Sequence, residues 1–544
     1  MKADEEFGPD RGMEFQTDDE ENRAETLGES EEDYESDFTF SDRNPSECSS
    51  LSFHMPWPQS YRQSMDMLTS VTPPKVGFLG GTSLTGLGSS FLSSSVYKRA
   101  QASESNASLA QPFISVTNAI EKVDELPLPE TATPKRSSSY YKASFHELPP
   151  PAQQCSYTQS VVNGVNVLCG VGLLSTPFAV KEGGWISLLI LFGFSIISCY
   201  TGVLLKRCLD SSSGLKTYPD IGQAAFGVSG RLFIAIILYI ELYVCCVEFI
   251  TLMGDNMSKM FPNAQMVFMG IHLNSHYFFT ILMTIILLPT ILLRNLSLLS
   301  YLSGGGVVAS LLVVLCLLWV GVVDQVGFHP GGAALDIANI PVSLGIYGFC
   351  YAGHSVFPNL YSSMEKPSDF STVLLVSFSI CCLLYTGVAI CGFMMFGYSI
   401  QSQFTLNMPQ EFVASKIAVW TAVVNPLSKY ALTLTPVALS LEELLPPSRL
   451  RSHYVSVFIR MVLVASTLVV ALAVPFFAFV MALVGSFLTM LIALIFPCAC
   501  YLSILRGRLK WPQIAVCIFI IVVGIVCSCI GTYSAAKKIV DQMG

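Results

Sequence analysis

Residues 159–179, Gln159-Ser-Val-Val-Asn-Gly-Val-Asn-Val-Leu-Cys-Gly-Val-Gly-Leu-Leu-Ser-Thr-Pro-Phe-Ala, form an apolar stretch long enough for a membrane helix but unable to remain one. Gly164, Gly170, Gly172 and Pro177 crowd it, and Asn163, Asn166, Ser175 and Thr176 lie among them. Glycine weakens a helix by the backbone entropy it loses, and proline by its missing donor. Residues 344–358, Leu344-Gly-Ile-Tyr-Gly-Phe-Cys-Tyr-Ala-Gly-His-Ser-Val-Phe-Pro, repeat the idea with Gly345, Gly348, Gly353 and Pro358, and add His354. Interrupted backbone at membrane depth survives only where it lines a cavity or is buried in protein. Paired interruptions at corresponding places in two halves mark the binding site of inverted-repeat carriers. One such helix alone fits a small-residue packing face equally well. Two of them, five spans apart, favour a cavity.

The rest of the chain is built for lipid. Of 544 residues, 52% are hydrophobic and 13% charged, with a mean hydropathy of +0.55, whereas soluble domains carry roughly 25% charge. The charge is unevenly placed. Residues 1–154 hold 25 acids and 12 bases, a net of −13, and residues 155–544 hold 14 acids and 18 bases, a net of +4. The acidity therefore belongs to a tail, says nothing of a substrate, and gives no footing for nucleic acid. Seventeen cysteines are scattered mostly through apolar stretches, as at Cys245, Cys246, Cys381, Cys382 and Cys498, with no CxxC pair at metal spacing. They fit soft core packing better than disulfides or ligands, and neither metal nor cofactor is expected.

Two domains follow: a cytosolic tail over 1–154 and a transmembrane domain over 155–544. The tail starts with 17 acids against 4 bases in residues 1–43 and continues with serine runs and Pro149-Pro-Pro, a composition that cannot collapse around a core and predicts disorder. Its start lacks the basic and apolar regions of a secretory signal, so the first membrane helix is expected to direct its own insertion. Arg136-Ser-Ser-Ser is a candidate phosphorylation site through which regulatory partners could act, against the simpler reading of a solvated spacer.

At about 20 apolar residues per span, eleven membrane helices are expected, near 157–180, 185–206, 231–254, 276–293, 298–322, 339–363, 370–397, 413–440, 453–473, 475–502 and 511–533. The boundary between the ninth and tenth rests on Ala473-Val-Pro475, and counts of ten or twelve spans stay open. Lys and Arg are counted over the span ends and short loops. Twelve fall on the tail's side, among them Lys206, Arg207, Arg231 and Arg460, and five on the other, at Lys181, Lys259, Lys416, Lys537 and Lys538. The positive-inside bias puts the N-terminus in the cytosol and, with eleven spans, the C-terminus in the lumen. Of the sequons, Asn256-Met-Ser falls on the far side, and those at Asn106 and Asn295 on the cytosolic side.

Exposed amides at the start of a half-helix bind an anion without any basic side chain. A carboxylate suits that end, and an ammonium suits the carbonyls of a facing half-helix. The candidate substrate residues are accordingly Asn163, Asn166, Gly170, Gly172, Ser175, Phe349, Tyr351 and Gly353, and the ligand class is a zwitterion. The motifs Asn163-Gly-Val-Asn, Gly170-Val-Gly-Leu-Leu-Ser-Thr-Pro, Gly183-Gly-Trp and Tyr351-Ala-Gly-His-Ser-Val-Phe-Pro resemble the amino acid/auxin permease family. Within it, the chain looks like plant vacuolar amino acid transporters of the subfamily related to the vesicular inhibitory amino acid transporter. The likeness covers about residues 155–535 and leaves out the tail. The resemblance implies a LeuT-like fold of two inverted five-helix repeats plus one helix, proton-coupled amino acid transport, and residence in an endomembrane such as that of the vacuole.

Ionisable groups inside the membrane cost about 2.5–3.5 kcal/mol each on insertion scales and mark candidate function. Lys429 stands mid-helix in Asn425-Pro-Leu-Ser-Lys-Tyr. In the implied fold the eighth helix faces the first where sodium-coupled relatives hold a cation, so a lysine ammonium would take the cation's place. Buried lysines shift their pKa readily, so loss of that proton could be coupled to substrate movement. A structural lysine paired with carbonyls is the plainer alternative. Glu241 and Glu248, seven apart, share one helix face and could pair with Lys429 or relay protons. Histidine as a residue type has its unperturbed pKa in the right range, which makes His354 a candidate, but a satisfied core histidine fits it at least as well.

Phe349, Cys350 and Tyr351 point to neutral substrates. An enzyme is disfavoured by the absence of HExxH, GxSxG, P-loop and GxGxxG patterns; Gly86-Leu-Gly88 stands alone in the tail. A plasma-membrane amino acid or auxin importer, a channel, and an amino-acid-sensing receptor of the same fold remain the alternatives. Flux with a stoichiometric proton current separates a carrier from a receptor.

Overall fold

The computed structural model describes residues 155–212, 214–264, 266–268, 271–292, 305–329, 331–446 and 453–543, with Trp57, Pro58, Tyr61, Arg62 and Met65 of the tail. The remainder of the expected disordered tail, the Arg136 motif and the sequons at Asn106 and Asn295 lie outside the described residues.

Helix α1, Tyr157–Leu168, starts on Ser156, whose hydroxyl accepts the Gln159 amide at 3.4 Å, an ordinary side-chain cap. It ends before the two glycines of Gly170-Val-Gly172, and α2, Gly172–Gly183, resumes at 51° to it. Pro177 within α2 leaves the Leu173 carbonyl without its helical donor, and the Thr176 hydroxyl donates to that carbonyl at 3.1 Å instead. Side chains re-satisfying freed backbone are what make proline tolerable in a membrane helix. The second stretch breaks in the same way: α7, Ile340–Cys350, and α8, Phe357–Ser363, are separated by six non-helical residues, 351–356. Both expected interruptions are present.

Between and after the breaks run α3, Ser187–Leu209; α4, Tyr218–Met260; α5, Ser275–Leu292; α6, Gly306–Val322; α9, Phe370–Phe396; α10, Val413–Glu443; and α11, His453–Ala473. A capping box of Thr217 and Asp220 opens α4, which turns at Gly227 (φ 71°), a left-handed conformation suited to glycine. After the expected interruption at 474–476, α12, Phe477–Val484, passes through a π-helical stretch, Gly485–Ile495, into α13, Phe496–Ile504; α14, Trp511–Met543, follows. A small antiparallel hairpin, Met266–Phe268 with Ile271–Leu273, precedes α5.

Among the described residues, seven helices are long and apolar enough to cross a membrane, eight if α1 and α2 count as one bent span. Helix coincides with all eleven expected spans, but three miss that measure for visible reasons. α6 begins at Gly306, after residues that are not described; α7–α8 is interrupted; and α10 carries Asn425, Ser428, Lys429, Thr433 and Thr435 mid-helix. Eleven spans therefore stand as an expectation, eight as an observation.

The broken helices sit centrally. α2 packs on α7 and α9, α1 on α9, and α10 on α4 and α6. α7 approaches α12 and the start of the π-helical stretch backbone to backbone: a Cβ added at Gly345 would collide with the Ala482 carbonyl, and one at Gly485 with the Gly345 carbonyl. Large apolar side chains such as Leu189, Leu383 and Phe458 cover the outside, as a bundle in lipid requires. The sequon at Asn256 is closed to glycosylation in this fold. Its side chain is buried, with the amide donating to Leu252 O (2.8 Å) and Gln403 Oε1 (2.5 Å) and its oxygen accepting from Thr405 (2.7 Å).

Candidate functional site

The two breaks open onto one cavity of about 150 Å³. The first break contributes Asn166, Gly170, Val171 and Gly172, and the second Phe349, Cys350, Ala352 and Ser355. α4 adds Glu241 and Cys245, α9 adds Tyr385, and α10 adds Asn425, Lys429 and Thr433.

At Gly170 the wall is peptide: a Cβ there would meet nothing within 4 Å, so only its absence leaves that space open. At Gly172 a Cβ would stand 3.1 Å from Cys350 Sγ, so that glycine allows the two breaks to meet. The first amides of a helix have no partner inside it and carry its positive end. α2 presents that end to the cavity. The Asn425 Oδ1 is buried without a hydrogen-bond partner among the described residues, a further polar atom on the wall.

Tyr385 joins the two breaks. It is fully buried, and its hydroxyl lies within bonding reach of the Leu168 carbonyl and of the Cys350 carbonyl at 3.0 Å, the last residues of α1 and α7. One hydroxyl proton serves one carbonyl at a time, so the group can pass between the two half-helix ends. Tyr385→Phe keeps the ring and removes that tie. It is expected to cost about 1 kcal/mol, measured as a lower melting temperature of the purified protein, and to weaken substrate binding.

Lys429 extends from α10 toward the first break, its Nζ donating to the Asn166 carbonyl at 3.4 Å. A Cβ on Gly306, at the start of α6, would lie 3.2 Å from Nζ, so three elements close around the ammonium. Glu241 shares the cavity and accepts a 3.5 Å bond from the Thr489 hydroxyl in the π-helical stretch.

Of the residues singled out from sequence, Asn166, Gly170, Gly172, Phe349, Cys350, Glu241 and Lys429 are brought together on this wall. The others lie off it. Asn163 is buried, its amide 3.8 Å from Cys155 Sγ, and Ser175 donates to the Ser402 carbonyl at 2.6 Å. Tyr351 stacks on Phe378 and meets Tyr385 edge-on. Gly353 packs under Leu168 and Phe357. His354 is wholly buried, its Nε2 placed 3.0 Å from the Thr201 hydroxyl and 3.1 Å from the Ser198 carbonyl, with its ring against Phe357. Glu248 is buried and not part of the wall, and neither carboxylate oxygen has a hydrogen-bond partner among the described residues. Sequence reading missed Tyr385, Asn425, Thr433 and Ser355. A polar residue in mid-span was the available signal for the first three.

A family model described as transmembrane amino acid transporter protein matches residues 153–536. The amino acid transporter AVT1D of Arabidopsis thaliana is 54% identical over 510 residues, covering 92% of this chain and 90% of its own length. The vesicular inhibitory amino acid transporter of Xenopus tropicalis is 25% identical over 70% of this chain and 76% of its own. Among solved structures, a Na+-coupled sialic acid symporter in a substrate-bound outward-open state is similar at a TM-score of 0.43 and 12% identity, over 70% of this chain and 89% of that one. The likeness carried by Asn163-Gly-Val-Asn and its companion motifs extends through the whole membrane part, and the chain belongs to the transmembrane amino acid transporter family, the amino acid/auxin permeases.

Proposed function

We propose that this protein is a proton-coupled carrier of small neutral amino acids across an endomembrane such as the vacuolar membrane, working by alternating access with its N-terminus cytosolic and its C-terminus lumenal. The observation that carries the reading is that the start of α2 and the Lys429 ammonium face one small cavity between two broken helices. The substrate carboxylate meets the amides of Val171 and Gly172 at the start of α2, and the substrate ammonium meets backbone carbonyls and the Asn425 oxygen. A cavity of about 150 Å³ walled by Phe349, Cys350, Cys245 and Thr433 suits a short uncharged side chain. The vesicular relative, named for inhibitory amino acids, supports an endomembrane setting.

Lys429 occupies the place of a coupling cation. A second positive charge beside its ammonium would be repelled, which disfavours sodium and leaves the lysine proton as the coupled ion. Glu241, on the same wall, is placed to exchange that proton with the cavity. One pH unit corresponds to about 1.4 kcal/mol, so one-for-one antiport into a lumen about two units more acidic supports roughly hundredfold accumulation. The test is uptake of labelled neutral amino acids into vesicles, with and without an imposed pH gradient. Uptake that rises with the gradient and collapses with a protonophore is expected. Uptake equal under both conditions, or dependent on sodium, would remove the proton from the mechanism.

A further inference from the structure

Tyr61 and Met65 belong to the acidic, serine-rich tail, yet they are 1% and 0% exposed. The described tail residues sit against the membrane bundle at the side where α1 begins. The Trp57 indole donates to the Ser440 carbonyl near the end of α10 at 3.0 Å. The Tyr61 hydroxyl donates to the Ser355 carbonyl at 3.1 Å, inside the break between α7 and α8. Asn359 of α8 donates to the Arg62 carbonyl at 3.3 Å. Arg231 of α4 donates through Nε to the Trp57 carbonyl (3.1 Å) and through a terminal nitrogen to the Pro58 carbonyl (2.9 Å). Arg231 is itself held by Asp220 at 2.5 Å and Gln223 at 3.1 Å. The Tyr239 ring packs on both tail aromatics, at 5.5 Å from Trp57 and 5.9 Å from Tyr61.

Two features of this seat bear on transport. It ties together α4, α10 and the second break, three of the elements that wall the cavity. It also reaches the cavity's own lining, because Ser355 contributes to the wall on one side and accepts from Tyr61 on the other. A path out of the cavity on the tail's side requires these elements to separate, and a segment bonded to all three opposes that. The bonds are neutral or to backbone carbonyls, and such bonds are individually modest in net terms. A handful of them biases a two-state equilibrium without making it irreversible.

We propose that the tail segment carrying Trp57 and Tyr61 is an intramolecular ligand that locks the cavity shut on the side where the chain enters the membrane, and that opening toward that side requires its release. The role assigned to the lock rests on the carrier reading above; the seat itself does not.

The test uses full-length protein in vesicles with the tail outward. Wild type, Trp57→Ala and Tyr61→Ala each receive Ser355→Cys and are labelled with a membrane-impermeant maleimide, the same proteins without Ser355→Cys setting the background of native thiols. Both tail variants should label at position 355 about tenfold faster than wild type, equivalent to about 1.4 kcal/mol of lost seating, with Tyr61→Phe in between. Equal labelling in all of them would overturn the lock. Uptake of labelled alanine is recorded on the same vesicles. Absence of uptake from every protein would count against the carrier reading, while the labelling rates still decide the lock.

Discussion

Lys429→Ala is expected to lower gradient-driven uptake by roughly 5–150-fold, the range spanned by typical coupling free energies between two sites, while the protein still reaches the membrane. Its ammonium is the cationic group on the cavity wall, bonded to the Asn166 carbonyl at the first break, where the proposed function puts the substrate carboxylate. Removing the ammonium leaves that carbonyl without its charged donor and, on the proposed mechanism, removes the coupled proton. Lys429→Arg separates the two effects. Arginine keeps the charge but holds its proton at any physiological pH, so substrate binding should persist while the pH gradient loses its influence. Binding by thermal shift and uptake under an imposed gradient report the two quantities independently. Full gradient-driven uptake by Lys429→Ala would assign the lysine to packing alone.

A second large effect is expected where α7 crosses the end of α12 and the start of the π-helical stretch. Gly345→Ala drives a methyl group into the Ala482 carbonyl, and Gly485→Ala drives one into the Gly345 carbonyl and to within 2.7 Å of the Phe349 amide. These neighbours are backbone, which cannot rotate away as a side chain would. Each substitution should cost about 3 kcal/mol or more, read as loss of monodisperse protein on size-exclusion chromatography. Gly193→Ala and Gly387→Ala provide the contrast. A Cβ at either position meets nothing within 4 Å, and replacing glycine inside a helix there should gain about 0.5–1 kcal/mol. If all four variants behave alike, the crossing is looser than its geometry implies.

The two interruptions were legible because glycine and proline act locally: Gly170, Gly172, Gly353 and Pro358 announce a failing helix without reference to anything distant. The break at 474–476 was legible for the same reason. What each side chain faces was not. Once α1 bends at 51° into α2, a period of 3.6 no longer carries one face through the stretch, so Asn166 and Gly170 reach the cavity while Asn163 and Ser175 turn to Cys155 and Ser402. His354 looked like a proton carrier from its residue type and its position beside the break, but the non-helical turn folds it against α3, to Thr201 and Ser198. Tyr385 could be suspected only as a polar residue in mid-span; its tie to Leu168 and Cys350 crosses 217 and 35 positions of sequence. The tail was read from averaged composition, and averaging over so many acids and serines hides Trp57, Tyr61 and Met65.

The peptide wall at Gly170 has an evolutionary consequence. A main-chain amide cannot be altered by changing a codon, so on the proposed reading the part of the pocket that receives the common α-amino acid head is shielded from mutational drift as long as the chain folds. Phe349, Cys350, Cys245 and Thr433 have no such protection. Descendants of one ancestral sequence can therefore diverge in which side chain they carry through changes at a few positions, while all continue to recognise the same zwitterion.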